Sequence, residues 1–236
     1  MALPFFYKED INSTTAVVIL DEATSKHIVQ VLRMKIGEQL QLTNGKGNLF
    51  TAEITDDNRK MCTVTIQTTD HQPPTTNISI AISLIKNNSR FEWFLEKATE
   101  IGVTSIIPLI CERTEKSAFK FERSNGILIS AMLQSQQSWL PHLQEPQKFT
   151  TFIGKTKQEQ KFIAHCIDEN NKEQLVSQPI NQLTNKLILI GPEGDFTKEE
   201  VEYALQHDFT PVSLGNTRLR TETAGIAAAV ILATFK

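Results

Sequence analysis

From residue 78 onward, short apolar runs alternate with stretches of helical periodicity, and this alternation restricts the fold more than any other feature of the chain. "ISIAISLI" (78–85), "SIIPLI" (105–110), "KFIAHC" (161–166), "KLILIG" (186–191) and "PVSL" (211–214) are predominantly apolar runs of strand length. Such runs fit strands covered on both faces. Between them, Phe91, Phe94, Leu95, Ala98 and Ile101 recur at helical spacing, with Ser89 and Glu92 placed to form a capping box. Thr197 and Glu200 repeat that signature before "VEYAL". Strands alternating with helices predict a mostly parallel α/β sheet with helices on both faces. Ligands of such sheets bind beyond the carboxyl ends of the strands, which directs attention to the loops after 166, 191 and 214.

The preceding segment has a different rhythm. "AVVIL", "EQLQLT", "NLFTAEIT" and "MCTVTIQT" are β-rich runs, two of them joined by the turn "NGKG" at 44–47. Only "TSKHIVQVLRM" has helical spacing, through Ile28, Val31 and Leu32. A small β-barrel carrying one helix is expected, followed by a linker at 70–77, "DHQPPTTN", whose prolines disfavour helix and central strand. The expected domains are 1–72 and 73–236. Residues 138–160 carry no clear pattern.

Composition removes several classes of function. No run approaches the roughly 18 apolar residues of a membrane helix, and the first fifteen residues lack an apolar signal-peptide centre, so the expectation is a cytoplasmic protein with no membrane contact. Cys62, Cys111 and Cys166 are widely spaced and odd in number, which points to buried thiols and to no metal site. The chain carries 24 basic and 27 acidic residues, 7 against 9 of them before Gln72. Neither part is a polycation, so any nucleic-acid contact must be local.

Two loops carry candidate chemistry. "LILIGPEGDFTKEEV" is a strand, a turn containing Gly191, Pro192 and Gly194, and a capped helix. A helix N-terminus attracts anions, but no phosphate-loop or dinucleotide fingerprint is present, and Glu193 and Asp195 stand where a phosphate would lie. The pattern fits a neutral or cationic ligand, or a turn with no ligand. "SLGNTRLRTETA" follows the next strand and leads Arg218, Arg220 and Glu222 into a helix of small residues, Ala224, Gly225, Ala227, Ala228 and Ala229. Charges beside such a closely packing helix are either paired or used.

"IGPEGDF", "SLGNTRLRTETA" and "LEKATEIGVTSIIPLICERT" together resemble the RsmE family, ribosomal RNA methyltransferases of the SPOUT superfamily that modify N3 of a uridine in 16S ribosomal RNA. "SKHIVQVLRMKIGEQLQLTNGKG" is similar to that family's barrel, so the likeness spans nearly the whole chain in order. The resemblance implies a PUA-like RNA-binding β-barrel at 1–72. It further implies a SPOUT methyltransferase domain at 73–236, with a trefoil-knotted parallel sheet, a bent S-adenosylmethionine in the knot loops, and a homodimer with the knots at its interface. A sulfonium cation agrees with the acidic loop.

The resemblance assigns Ile190, Gly191, Pro192 and Gly194 to one cofactor wall and Leu214, Gly215 and Leu219 to a second that encloses adenine. Cys166 belongs to a third, where the match is loose because His165 precedes a cysteine rather than the family's frequent proline. In "AMLQSQQSWLP", Leu133 and Gln137 stand where many members carry an acid and an arginine, while Gln134 and Ser135 remain. Asp195 replaces a common glycine, at a helix start that favours an acid. Arg220 is the candidate to stabilise the uracil anion, against a reading in which it only pairs with Glu222. Glu222 and Glu193 are candidate bases, and His165 fits packing better than chemistry. Arg33, Lys86, Arg90 and Arg113 are candidate RNA contacts, with nearby glutamates, Glu92, Glu96, Glu100 and Glu112, as competing partners. Trp93 and Trp139 could stack on a base, though Trp93 fits a core position better. The expected partner is 16S ribosomal RNA, within the small subunit. The competing readings are a non-catalytic RNA-binding assembly protein and a SPOUT enzyme with another RNA target.

Overall fold

The computed structural model describes residues 3–74, 76–115, 118–167, 172–181 and 184–234. They form two compact units. The first contains residues up to Pro74 together with Met132–Leu140, and the second contains the remainder.

The N-terminal unit is a five-stranded curled sheet in the order β1-β3-β4-β5-β2. Its strands are β1 (Phe5–Tyr7), β2 (Val17–Ile19), β3 (Gln39–Thr43), β4 (Asn48–Asp56) and β5 (Thr63–His71). All pairings are antiparallel except β1 with β3, and the two edges do not pair with each other, so the expected barrel is a half-barrel. Irregularities at Thr51/Ala52 and Ile54/Asp56 bend β4 over a core of Leu40, Leu42, Phe50, Ile54 and Val64. Strand β1 had no sequence signal.

The helical segment is shorter than its pattern. Helix α1 (Glu22–Lys26) starts at the N-cap Asp21, whose carboxylate accepts from the Thr24 amide, and then widens into a π-turn over His27–Val31. The wider turn shifts the side-chain register, so Ile28 is buried while Val31 and Leu32 are exposed and Met34 fills the core instead. Arg33 follows with φ 58° and is also exposed.

The expected linker begins too early. Strand β5 runs through His71, and Gln72 accepts the Trp139 indole N–H on its carbonyl at 2.7 Å. Thr75, within that linker, lies outside the described residues. The part of the unassigned region at 138–140 belongs to this unit: Gly47 N–H donates to Ser138 O and Leu140 N–H to Gly45 O, both at 2.9 Å. A Cβ on Gly47, at φ 83°, would lie 2.5 Å from the Trp139 ring, so the ring covers that glycine.

In the C-terminal unit the strands are β6 (Ile78–Ser83), β7 (Ser105–Ile110), the short β8 (His142–Leu143) and β9 (Gln147–Lys148), β10 (Gln160–Ala164), β11 (Glu173–Gln174), β12 (Lys186–Ile190) and β13 (Thr210–Ser213). They make a parallel sheet in the order β11-β13-β10-β12-β6-β7-β8, with β9 also on β7. Helices α2 (Asn88–Ile101), α3 (Phe121–Gln134), α4 (Phe149–Ile153), α5 (Lys198–Leu205) and α6 (Thr221–Thr234) connect them. On one face, α4 and α5 cover Ile107, Ile163, Leu187 and Leu189 with Phe149, Phe152, Val201 and Ala204. On the other, α6 packs on α2, β6 and β12.

Two caps test the sequence rules. Thr197 and Glu200 form the expected capping box on α5. On α2, however, Asn87 is the N-cap, its side chain accepting from the Ser89 amide, and Glu92 instead meets Arg123. Asparagine takes the N-cap readily, so the helix begins two residues earlier than the Ser89 pattern implies. Trp93 is 43% exposed, against the expectation of a core position, because Phe91, Phe94 and Leu95 occupy the buried face. Cys62 and Cys111 are buried as expected, but Cys166 is exposed.

Candidate active site

The order β13-β10-β12 makes three strands neighbours although they are distant in sequence, so the loops leaving their carboxyl ends meet. A cavity of about 270 Å³ lies between them, lined by Ala164, Cys166, Ile190–Glu193, Asp195, Arg218–Thr221 and Ala224. A second, of about 230 Å³, shares Ala164, Cys166, Arg218, Leu219 and Ala224 and adds His165, Lys172 and the Ser213–Thr217 turn. Ile190, Gly191, Pro192, Leu219, Cys166 and Arg220 thus line the first, and Leu214 and Gly215 the second. The rest of the expected third wall, residues 168–171, lies outside the described residues.

Backbone demands explain the local sequence. Gly215 holds φ 128°, in the left-handed half of backbone space that favours glycine. Gly191 faces the Phe196 ring, whose nearest atom would lie 3.1 Å from an added Cβ. Gly194 lines neither cavity: it packs on the Arg113 side chain, and its carbonyl accepts from Arg113 Nη1 at 2.7 Å. The same Nη1 reaches the Phe196 carbonyl at 3.5 Å, so Arg113 braces this loop from outside. Glu193 is tied by the Lys86 amide, 3.4 Å from Oε1, and by Arg218 Nη2, 3.5 Å from its carbonyl.

Asp195 joins two of the walls. Its Oδ2 accepts the Cys166 amide at 2.7 Å and its Oδ1 accepts the Phe196 amide at 2.8 Å. Burial, and then the Asp195 charge, hold the Cys166 thiol above its ordinary pKa, against the opposing pull of Arg218 and Lys172. Lys172 Nζ donates to the carbonyls of His165 and Ile167, each at 2.8 Å, and closes the turn after β10. His165 itself is buried, as expected of a packing residue.

The two charged residues singled out around α6 separate. Arg220 is exposed at the cavity rim and has no ion pair among the described residues. Glu222 lies one turn before Gly225 on the flank that meets α2: it is 7% exposed, and its Oε1 stands 3.7 Å from Arg90 Nε. The pairing of Arg220 with Glu222 does not occur, because Arg90 takes that place. Glu222 Oε2 is buried with no hydrogen-bond partner among the described residues. At Gly225 an added Cβ would lie 2.6 Å from the Phe94 ring, which accounts for the small residues of α6.

The remaining cations are dispersed. Lys86 Nζ pairs with Glu115 at 2.6 Å, and that partner holds its ammonium above the usual pKa. Arg33 belongs to the N-terminal unit. The glutamates expected to neutralise the basic set mostly have other partners, Arg123 for Glu92 and Lys97 for Glu96 and Glu100. Gln137 turns back to donate to Ser135 Oγ at 3.1 Å, at the end of α3. Sequence reasoning missed the bracing by Arg113 and the contribution of Lys172. Neither leaves a spacing signal, since both act through backbone carbonyls.

A parallel sheet with a glycine-turned, mixed-charge cavity at the carboxyl ends of neighbouring strands defines an α/β protein with a ligand site where such sheets place one. The RNA methyltransferase domain profile matches residues 71–233, and the RNA methyltransferase PUA domain profile matches 20–67. The chain belongs to the ribosomal RNA small subunit methyltransferase E family. It is 30% identical to the protein of that name from Rickettsia conorii over 226 residues, covering 92% of this chain and 91% of the relative. A crystal structure of a probable rRNA methyltransferase from Porphyromonas gingivalis aligns with TM-score 0.87 and 38% identity over 99% of this chain and 98% of that one. The Neisseria gonorrhoeae ribosomal RNA small subunit methyltransferase E bound to S-adenosyl methionine aligns with TM-score 0.86 and 30% identity, covering 98% and 97%.

Proposed function

We propose that this protein transfers a methyl group from S-adenosylmethionine to N3 of one uridine in 16S ribosomal RNA. The observation that carries the reading is the convergence of three strand-end loops on a cavity rimmed by an arginine, Arg220, that has no ion pair among the described residues. The cavities suit this cofactor: apolar Ile190, Leu219 and Ala224 stand beside the carboxylates of Glu193 and Asp195, a lining compatible with a cation and poor for a phosphate. Leu214, Gly215 and Leu219 would hold the adenine end, and Ile190, Gly191, Pro192 and Cys166 the remainder. S-adenosylmethionine, when bound, supplies an electrophilic methyl group on a sulfonium centre.

The chain's own residues supply the rest. Uridine N3 must lose its proton, and negative charge spreads onto O2 and O4. Arg220, always protonated and not committed to an internal ion pair, stabilises that charge as it develops. Glu193 is the carboxylate of the cavity lining available to accept the proton, since both oxygens of Asp195 are engaged by backbone amides. Glu222 lines neither cavity, so its part in catalysis is to position: held by Arg90, it fixes the first turn of α6 directly behind Arg220. Arg33 is an RNA contact in the barrel unit, Lys86 exchanges its exposed ion pair for a phosphate at little cost, and Arg90, half-exposed, meets RNA while keeping its contact with Glu222. Arg113 is reassigned from RNA to the loop it braces.

The substrate is 16S ribosomal RNA in the small subunit, met in the cytoplasm by a homodimer whose carboxyl-terminal segment is threaded as a trefoil knot. Helix α6 supports the dimer, because every residue from Gly225 to Ala233 is apolar and such a stretch requires cover, while Val230 is 45% exposed. Single-turnover methylation at saturating cofactor tests the reading. Arg220→Ala is expected to lose about 3 kcal/mol of transition-state stabilisation, roughly a hundredfold in rate, with the fold intact. An unchanged rate removes Arg220 from the chemistry, and failure of the wild-type protein to bind S-adenosylmethionine removes the enzyme reading.

A further inference from the structure

We infer that Asp195 is a positioning residue, a pin that locks the loop after β10 to the loop after β12 and so holds the cofactor cavity in its binding shape. The inference rests on the cofactor reading given above. Three observations carry it. Asp195 has φ 66°, a left-handed conformation that glycine adopts at no cost and aspartate at a modest one, helped by the bond from the next residue's amide to its own carboxylate. From that conformation its carboxylate spans the gap between two loops that no sheet pairing joins at this level: Oδ2 takes the Cys166 amide at 2.7 Å while Oδ1 takes the Phe196 amide at 2.8 Å. The distances are those of charge-assisted bonds. Asp195 and Cys166 both line the first cavity, and Cys166 lines the second as well, so the bond ties the wall common to both.

The far side of the same loop is fixed independently. Arg113 holds the carbonyls of Gly194 and Phe196, the residues on either side of Asp195. With its neighbours anchored, Asp195 cannot relax its backbone without breaking the Arg113 contacts. The carboxylate is thereby aimed at Cys166 before any ligand arrives. A preorganised wall spares the ligand the cost of ordering it, and the benefit appears in cofactor affinity rather than in the rate of methyl transfer.

The test compares Asp195→Gly and Asp195→Asn with wild type by titration calorimetry with S-adenosylmethionine, after thermal melts establish that each is folded. Glycine is at ease at φ 66° and removes only the pin, so the fold should be retained. Loss of a charge-assisted bond predicts a Kd weaker by about tenfold in Asp195→Gly, with asparagine, which keeps one acceptor oxygen, falling between. Saturating cofactor should restore most of kcat, giving a KM effect without a matching kcat effect. A second readout needs no cofactor: iodoacetamide labelling of Cys166, followed by mass spectrometry, should be faster in Asp195→Gly than in wild type and also faster than in Asp195→Asn, which removes the same charge from beside the thiol but keeps an acceptor oxygen. Wild-type affinity together with wild-type labelling in Asp195→Gly overturns the inference. If the wild-type protein itself binds no S-adenosylmethionine, the cofactor reading fails instead, and the labelling comparison still decides whether Asp195 pins the loop.

Discussion

Replacing Gly225 by alanine tests how closely α6 must approach the sheet. A Cβ at this position would lie 2.6 and 2.9 Å from two atoms of the Phe94 ring and 3.1 Å from Ile82 Cδ1. Both side chains are completely buried, Phe94 on α2 and Ile82 on β6, so neither has free space to enter. Overpacking costs about 1–3 kcal/mol, and two contacts under 3.0 Å against completely buried neighbours put this site in the upper part of that range, about 2–3 kcal/mol. The helical preference of alanine over glycine returns about 1 kcal/mol, so the net loss is about 1–2 kcal/mol. For a chain of this size that lowers Tm by about 2–8 °C. Ala224, the neighbouring residue, lines both cavities, so a shift of α6 should also weaken S-adenosylmethionine binding. Circular-dichroism melts and calorimetric titration read the two effects. A Gly225→Ala protein as stable as wild type, or more stable, would refute the close-approach argument, because helix propensity would then have outweighed the contact.

Two further outcomes follow from the same geometry. Arg90→Ala leaves the Glu222 carboxylate buried without its cation and is expected to cost about 1–2 kcal/mol in urea unfolding, less than for a tight pair because Nε and Oε1 are 3.7 Å apart. Adding Glu222→Gln should recover part of that loss, and strict additivity of the two changes would show that they do not interact. For the thiols, burial and then Glu200 push Cys111 up to about 12, and burial first also raises Cys62, so near pH 8 both stay protonated and inert in the native protein. Cys166 alone should be alkylated, with a rate that rises with pH and needs more alkaline conditions than an ordinary thiol, and all three should react in denaturant. Native labelling of Cys111 at a rate near that of Cys166 would contradict its burial.

Local periodicity reported local structure well. The apolar run 105–110 coincides with β7, and the Thr197–Glu200 signature is the capping box of α5. It failed where a turn of unusual width intervened, as at His27–Val31, and where a stronger cap lay outside the scanned pattern, as at Asn87. The candidate cofactor walls were legible because "GPEG" and "LGNTRL" each occupy a single loop. Arg113, by contrast, reads as a surface cation until its carbonyl partners, far along the chain, are brought beside it.

The sequence by itself determined the alternation of strands and helices, the family and the three loops that line the cavities, because hydrophobic period, turn glycines and caps are properties of contiguous residues. Only the tertiary structure decided which charges meet. It set Glu222 against Arg90 rather than Arg220, tied Asp195 to Cys166, and left Trp93 in solvent. The reason is the sheet order: β10 lies between β12 and β13, so the partners of a side chain at the strand ends follow from the path of the chain. No local pattern encodes that path.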